Sequence, residues 1–165
     1  YYFGEYANDQ KSGRGKLWNQ PKNKVTFDGM WARDRKNGKG WLERNEGVYT
    51  GDFVDDHLEG KGRMVWVNGD EYEGDFSKDF RNGVGVMKYA NGDVYRGEFR
   101  NGKIHGRGVY RWRNGETYEG NFTDGAMDGQ GRINYSGINV VAQGQFQPAS
   151  DRNLSYKLIE YNNRG

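Results

Sequence analysis

The residues of this chain best suited to chemistry are two histidines and two pairs of adjacent carboxylates. His57 and His105 are far apart in the sequence, and the paired acids are Asp55-Asp56 and Asp70-Glu71. Histidines and carboxylates serve as general acids, general bases and metal ligands. The chain has no cysteine, so thiolate ligands and disulfides are excluded. We expect turn-stabilising histidines and solvated acids, with no catalytic residues, no metal and no cofactor.

One other segment has the spacing of a nucleotide site. Gly97, Gly102 and Lys103 are placed as at the start of a phosphate-binding loop. Such a loop continues with Ser or Thr and then a helix. Here Ile104 follows, and the Asn-Gly sequence before Lys103 predicts a hairpin turn. We therefore predict that the chain does not bind nucleotides and is not an enzyme.

A pentapeptide recurs along almost the whole chain. Its central glycines are 22 to 25 residues apart. A period of this size is typical of stacked units, each of which buries its apolar side chains only against its neighbours. The copies are YFGEY, FDGMW, YTGDF, YEGDF, YRGEF and YEGNF, beginning at residues 2, 27, 49, 72, 95 and 118, with a weaker AQGQF beginning at 142.

A Gly-x-Gly triplet follows each of the first six pentapeptides at a constant distance. The first glycines of these triplets are Gly13, Gly38, Gly60, Gly83, Gly106 and Gly129. Alternation predicts a β-hairpin for each unit, with Tyr95 and Phe99 on one face of the first strand. On the return strand, Gly106, Gly108 and Tyr110 share a face by the same rule. Tight turns are predicted at Asn101-Gly102 within a unit and at Asn68-Gly69, Asn91-Gly92 and Asn114-Gly115 between units.

The pentapeptide and the triplet together resemble the MORN repeat family. The resemblance covers about residues 2 to 146, and the segment from Tyr95 to Thr117 is close to a consensus unit. It implies an all-β fold, an elongated single-layer antiparallel sheet of tandem β-hairpins. We predict an array over 2–147 and a degenerate terminal strand or cap over 148–165. The units lie near 2–26, 27–48, 49–71, 72–94, 95–117 and 118–141.

Glycine inside a strand has a physical use in such a sheet. A single layer has no second sheet to cover its apolar face, and glycine allows a neighbouring ring to lie over bare backbone. We expect the first ring of each pentapeptide to pack against the Gly-x-Gly column, burying part of its ~150–250 Å². Those rings are Tyr2, Phe27, Tyr49, Tyr72, Tyr95 and Tyr118.

Composition and charge exclude several classes of protein. Hydrophobic residues make up 33 %, aromatic residues 15 %, and 27 residues are glycine. The net charge of +2 gives no strong field for nucleic acid. No apolar run approaches the ~20 residues that cross a bilayer, and we expect no signal peptide. Because the chain starts inside a repeat without methionine, we expect a longer parent protein with another repeat before Tyr2.

The polar face of the sheet is expected to carry cross-strand ion pairs. Acids on the first strands, Glu5, Asp52, Asp75 and Glu98, are matched by Arg14, Lys39, Lys61 and Arg107 on the return strands. Opposed charges on neighbouring strands stabilise a sheet by ~0.2–1 kcal/mol per pair. Val84 and Val86 break this charge pattern beside Val109, which is either an interaction spot or a consequence of β-propensity.

The aromatic face is the predicted docking surface. A strip rich in Tyr, Trp and Met has the composition of a protein interface core, and glycine covers only part of it. A helix or an extended peptide lying across several repeats would contact Met64, Trp66, Tyr72, Phe76, Met87, Tyr89, Tyr95, Phe99, Tyr110, Trp112 and Tyr135.

The predicted function is therefore a non-enzymatic scaffold that docks a protein partner. The resemblance implies an intracellular setting: the cytoskeleton, a cilium or axoneme, or a membrane–cytoskeleton junction. The alternatives are a phosphoinositide- or anionic-membrane-binding array and the targeting segment of a larger enzyme. The run from Leu154 to Tyr161 is predicted to be a terminal strand that either caps the array or pairs with a second copy to form a homodimer.

Overall fold

The computed structural model describes residues 1–136, 140–148 and 156–161, and all regular elements there are β-strands. The chain divides into two compact units, residues 1–80 and 81–165. The described residues form no helix with the length and apolar character needed to cross a membrane. The strands are β1 (Tyr2–Ala7), β2 (Gln10–Asn19), β3 (Lys24–Ala32), β4 (Arg35–Glu43), β5 (Gly47–Val54), β6 (His57–Trp66), β7 (Glu71–Ser77), β8 (Phe80–Lys88), β9 (Val94–Arg100), β10 (Lys103–Arg111), β11 (Thr117–Thr123), β12 (Ala126–Tyr135), β13 (Val140–Pro148) and β14 (Tyr156–Tyr161).

In each unit, strands pair antiparallel with their neighbours in sequence. The first unit contains the ladders from β1 to β7. The second contains those from β8 to β14. No described strand lies outside a ladder, so neither unit has a second layer of sheet over the residues described. The prediction of an all-β, single-layer sheet of tandem antiparallel hairpins is confirmed.

Glycines of successive strands face one another and form a row across each sheet. In the first unit, Gly51 pairs with Gly40 of β4 and with Gly62 of β6. In the second unit, Gly108 lies between Gly97 and Gly120. The row leaves a line of bare backbone on the face that carries the rings, where an aromatic side chain can make close contact.

The first ring of each pentapeptide lies against this row. A Cβ atom built on Gly108 would be only 2.5 Å from Cε2 and 2.6 Å from Cζ of Tyr95. Real Cβ atoms do not come so close to another heavy atom. The same close approach relates Tyr2 to Gly15, Tyr49 to Gly62 and Tyr118 to Gly131, with Phe27 against Gly40. The predicted packing of rings over glycine is confirmed for these pairs.

Each of these tyrosine hydroxyls also has a fixed partner. Tyr95 donates to the carbonyl of Glu98, three residues along the same strand, at 2.9 Å. Equivalent bonds run from Tyr2, Tyr49, Tyr72 and Tyr118. Phe27 occupies the same place without a hydroxyl, so the ring is the common requirement and the hydrogen bond is an addition.

Edge-to-face ring pairs extend the packing from one hairpin to the next. Tyr49 meets Phe53 of its own strand at 5.2 Å between centroids and Phe76 of the following repeat at 5.0 Å. In the second unit, Tyr118 meets Phe122 at 5.2 Å and Phe146 at 5.0 Å. Interplanar angles are between 79° and 90° in these four pairs. Such T-shaped pairs each add ~0.5–1.5 kcal/mol beyond the burial of area.

The two glycines of each triplet have different roles, which corrects the prediction that both share the ring face. Gly106 has a φ of +64°, and the pairing of β9 with β10 shifts register between Ile104 and Gly108. The first glycine therefore forms a bulge in a left-handed conformation, which breaks strict alternation. The Glu98 carboxylate lies against it. At the equivalent bulges, Glu5 accepts a bond from the Arg14 N–H and Asp52 from the Lys61 N–H.

The turns within repeats are two-residue loops with positive φ at both central residues. Asn101-Gly102 conforms to the prediction, with φ of +49° and +81°. Asp55-Asp56 and Lys78-Asp79 adopt the same conformation without glycine. In the Asn68-Gly69 turn between repeats, by contrast, Gly69 has a positive φ and Asn68 does not. Gly69 N–H donates to the Trp66 carbonyl, which is typical of a longer loop closed by a bulge.

Aspartates in left-handed turns are explained by contacts with the preceding repeat. The Asp79 carboxylate accepts the Leu58 N–H at 3.0 Å and lies 2.6 Å from Nδ1 of His57. Burial alone would raise the pKa of this carboxyl, but the bonds from His57 and Leu58 lower it below its ordinary value. Its contribution to stability is therefore present near neutral pH and lost as the pH falls through the lowered pKa. Asp34 and Asp56 accept equivalent N–H bonds from Lys11 and Lys36.

The C-terminal run forms part of the second sheet. Tyr156–Tyr161 is β14, which pairs antiparallel with β13. Leu154 and Ser155, where the predicted strand begins, lie outside the described residues. Whether this strand caps the array or pairs with a second copy stays a prediction.

Candidate docking surface

The structure separates the eleven predicted contact residues into two groups. Seven are buried, with side chains at most 6 % exposed: Met64, Tyr72, Phe76, Met87, Tyr95, Phe99 and Tyr110. The expectation that part of the aromatic strip remains exposed therefore applies to the other four residues and not to these seven. These seven side chains form the core of the sheet and are not available as a contact surface in this conformation.

The cover over the rings comes in part from one position of the repeat, which is basic in some repeats and apolar in others. The second residue after each turn within a repeat reaches across the ring face. Nζ of Lys36 lies 5.5 Å from the Phe27 ring and 5.6 Å from the Trp31 ring. In the second unit, the Arg81 guanidinium lies 5.5 Å from the Phe99 ring. Leu58, Ile104 and Met127 occupy this position in other repeats and are buried. A long aliphatic stem with a terminal charge covers apolar area as these residues do.

The other four predicted residues remain partly exposed. They are Trp66, Tyr89, Trp112 and Tyr135, one at the end of each return strand and 23 residues apart. Trp66 belongs to the first unit. The remaining three belong to the second unit, and we call them the ring row.

A buried carboxylate fixes two members of the ring row. Tyr89 and Trp112 flank the buried Tyr110, with ring centroids 6.0 Å and 5.2 Å from it. The Tyr110 hydroxyl donates to Asp93 at 2.6 Å, and the Arg113 N–H donates to the same carboxylate at 2.8 Å. Asp93 is only 8 % exposed. Asp93 could not be recognised from the sequence, because an acid beside a predicted turn is ordinarily solvated.

Three tyrosines of the aromatic face have raised pKa values. Burial raises the pKa of Tyr49 and Tyr95, and raises that of Tyr118 to about 12. These phenols therefore remain neutral hydrogen-bond donors at physiological pH.

The histidines contact turns, as predicted. His57 lies against Asp79, and Nδ1 of His105 accepts the Asp124 N–H at 3.4 Å. The Asp56 carboxylate accepts the Lys36 N–H. Among the described residues, histidines and acids form no group of three or more with the geometry of a metal site.

Two of the four predicted cross-strand ion pairs form on the polar face. Arg14 pairs with Asp28 instead of Glu5, and Arg107 forms no ion pair with Glu98 or another described acid. Nζ of Lys39 lies 2.6 Å from Asp52, and Nζ of Lys61 lies 2.5 Å from Asp75. Each base is directly opposite its acid in the ladder. In the first unit these pairs neutralise bases that a membrane-binding face would present. Further pairs join Lys16 to Asp28, Lys24 to Glu43 and Arg63 to Glu71.

Comparison with protein families matches the chain to the MORN repeat in six segments: 2–20, 27–47, 49–71, 72–94, 95–117 and 118–136. Together they cover more than half of the chain and begin where the predicted units begin. MORN repeats generally mediate protein or membrane interactions. No curated protein matches the chain.

Proposed function

The chain belongs to the MORN-repeat family, and we propose that it is a non-enzymatic scaffold that docks a protein partner on the ring row. The observation that carries this proposal is the pair of partly exposed rings, Tyr89 and Trp112, held in place by Tyr110 and Asp93. Rings that are already ordered lose little conformational freedom on binding. Tyrosine and tryptophan are also the residues most often dominant in protein interfaces.

The kind of partner follows from the spacing of the row. Residues 89, 112 and 135 recur once per repeat, with two strands per repeat. Strands are ~4.8 Å apart, so the rings recur at roughly 10 Å. A helix presents side chains on one face at ~5.4 Å per turn. An amphipathic helix with apolar anchors two turns apart therefore fits the row, as does an extended peptide.

The cellular setting is part of the same proposal. We place the scaffold inside the cell, in a cytoskeletal assembly such as a cilium or at a membrane–cytoskeleton junction, and the support is family resemblance. An anionic-membrane array is the alternative, and the ion pairs of Lys39 and Lys61 disfavour it in the first unit.

Affinity capture from the native source tests the docking surface. The chain would serve as bait, and bound proteins would be identified by mass spectrometry. Trp112→Ala is expected to reduce capture of the specific partner by at least ~10-fold, as for truncation of an interface hot spot. Trp41→Ala is the matched control, because Trp41 is also partly exposed but lies on the polar face, opposite Asp28 and Thr50.

Two results would count against the proposal. One is a set of captured proteins that Trp112→Ala leaves unchanged. The other is equal loss with Trp112→Ala and Trp41→Ala, although melting curves show that both variants fold.

A further inference from the structure

An apolar side chain surrounded by arginines lies on the polar face of the second unit. Arg107 and Arg111 are two positions before and after Val109 in β10, which places all three on one face. Arg96 of β9 is directly opposite Val109 in the ladder. Val109 is 37 % exposed, and all three arginines are exposed. Same-face neighbours along a strand are roughly 7 Å apart, and opposed residues roughly 5 Å.

Arg107 lacks the acid that its equivalents have in the first unit. Lys39 is opposite Asp52 and Lys61 is opposite Asp75, and both are ion pairs. At the equivalent position two repeats after Lys61, Arg107 is opposite Asn121. An amide replaces the carboxylate, and the arginine loses its charge partner.

The other two arginines are also opposite neutral residues. Arg96 lies between Val86 of β8 and Val109 of β10. Arg111 lies between Val94 and Thr117. None of the three arginines makes an ion pair with another described residue. Three arginines that are opposite neutral residues therefore surround one valine.

Two nearby acids restrict what can bind. Glu98 lies against the bulge at Gly106, and Glu119 is opposite Val109 on the β11 side. A uniformly anionic surface would be repelled by these acids, whereas separate carboxylates can be placed between them. Arginine also favours carboxylates through two parallel hydrogen bonds, a geometry that lysine lacks.

We propose that Val109, Arg96, Arg107 and Arg111 bind an acidic extended segment of a protein in which carboxylates alternate with apolar residues. In an extended chain, every second residue faces the same side at the strand repeat. Two carboxylates flanking an apolar residue in the pattern acid-x-apolar-x-acid would therefore align with Arg107, Val109 and Arg111. Arg96 adds a third charge beside the apolar contact. This site is on the opposite face from the ring row and does not depend on it.

The test measures binding of a defined probe by fluorescence anisotropy. The probe is a labelled peptide of repeating Glu-Ser-Leu-Ser, and the control peptide has Lys in place of Glu. At about 0.15 M salt, where the Debye length is about 8 Å, only the acidic peptide is expected to bind. The doubly substituted Arg107→Glu/Arg111→Glu chain should bind it at least ~10-fold more weakly, because the peptide's carboxylates would then face like charges.

Two further variants distinguish binding at this site from an effect of the net charge of the chain. Lys61→Glu/Arg63→Glu changes the charge of the chain equally but acts on bases already paired with Asp75 and Glu71, and it should leave affinity within about twofold. Asn121→Asp restores the acid opposite Arg107 and should weaken peptide binding without lowering the melting temperature.

The proposal fails if both peptides bind equally, if neither binds, or if the two double variants lose the same affinity. Flotation with phosphatidylserine vesicles is a further measurement, which tests for membrane binding. If the chain floats with vesicles at this salt and the Arg107→Glu/Arg111→Glu chain does not, while the peptide binds poorly, the site is for a membrane and the proposal is wrong.

Discussion

Gly108→Val is expected to destabilise the chain by more than ~3 kcal/mol, at the upper end of the usual cost of overpacking. Tyr95 is the reason, because its ring atoms would be 2.5–2.6 Å from a new Cβ. Neither the Tyr95 ring nor the glycines that pair with Gly108 can move easily to relieve this clash. Tyr95 is fully buried, and Gly97 and Gly120 pair with Gly108 on both sides. Urea denaturation monitored by circular dichroism measures the change in the free energy of unfolding.

The control for this prediction separates packing from backbone strain. Gly125 has a φ of +93°, and no atom lies within 4 Å of a Cβ built there. Gly125→Ala should therefore cost only ~1–2 kcal/mol, the price of a left-handed alanine. In a Tyr95→Ala background, the cost of Gly108→Val should fall sharply, because the clashing ring is gone. If the cost is the same in both backgrounds, ring-over-glycine packing is not what the glycine provides.

Alkaline pH is expected to unfold the chain through its tyrosines. Burial raises the pKa of Tyr2, Tyr49 and Tyr95, and raises that of Tyr118 to about 12. A group whose pKa is raised by folding contributes stability in full below its unfolded pKa of about 10 and loses it as the pH rises towards the folded value. The fully buried Tyr49, Tyr95 and Tyr118 should therefore each cost up to about 1.4 kcal/mol per pH unit between about pH 10 and their folded pKa.

A single substitution serves as the control for the prediction at alkaline pH. Tyr118→Phe removes one phenol and its bond to the Asn121 carbonyl, at a cost of about 1 kcal/mol at neutral pH. Phe27 shows that a phenyl ring fits the same position. Above about pH 10, the free energy of unfolding of the variant should fall less steeply, by one tyrosine's share. If the free energy of unfolding falls equally steeply with pH in both proteins, Tyr118 ionises equally readily in the folded and unfolded chain.

Much of the fold could be predicted from the sequence because it repeats. The constant interval between pentapeptide and triplet sets every hairpin, and the alternation of Tyr95, Gly97 and Phe99 identifies the ring face. Alternation fails at Gly106, because a bulge adds a residue to one strand and the sequence does not say which glycine is left-handed. The Asp79 turn was also unpredictable, since the Leu58 N–H that donates to its carboxylate belongs to the preceding repeat.

The docking surface could be predicted only in part, and burial is the reason. Sequence places Tyr95 and Trp112 on the same face, but it does not show how far a neighbouring side chain reaches over each. Arg81 and its equivalents cover the rings near the turns within repeats. Trp112 lies at the other end of the strand and keeps part of its surface. A pattern of apolar and polar residues does not show that a long polar side chain covers a ring.

Site-specific photo-cross-linking tests the central claim, that the ring row docks a protein, most directly. A benzoylphenylalanine at position 89 keeps an aromatic ring in the row, and the same residue at position 41 samples the polar face. In extracts of the native source, we expect a discrete protein adduct from position 89 and none of comparable yield from position 41. Equal adducts from both positions, or lipid adducts alone from position 89, would contradict it.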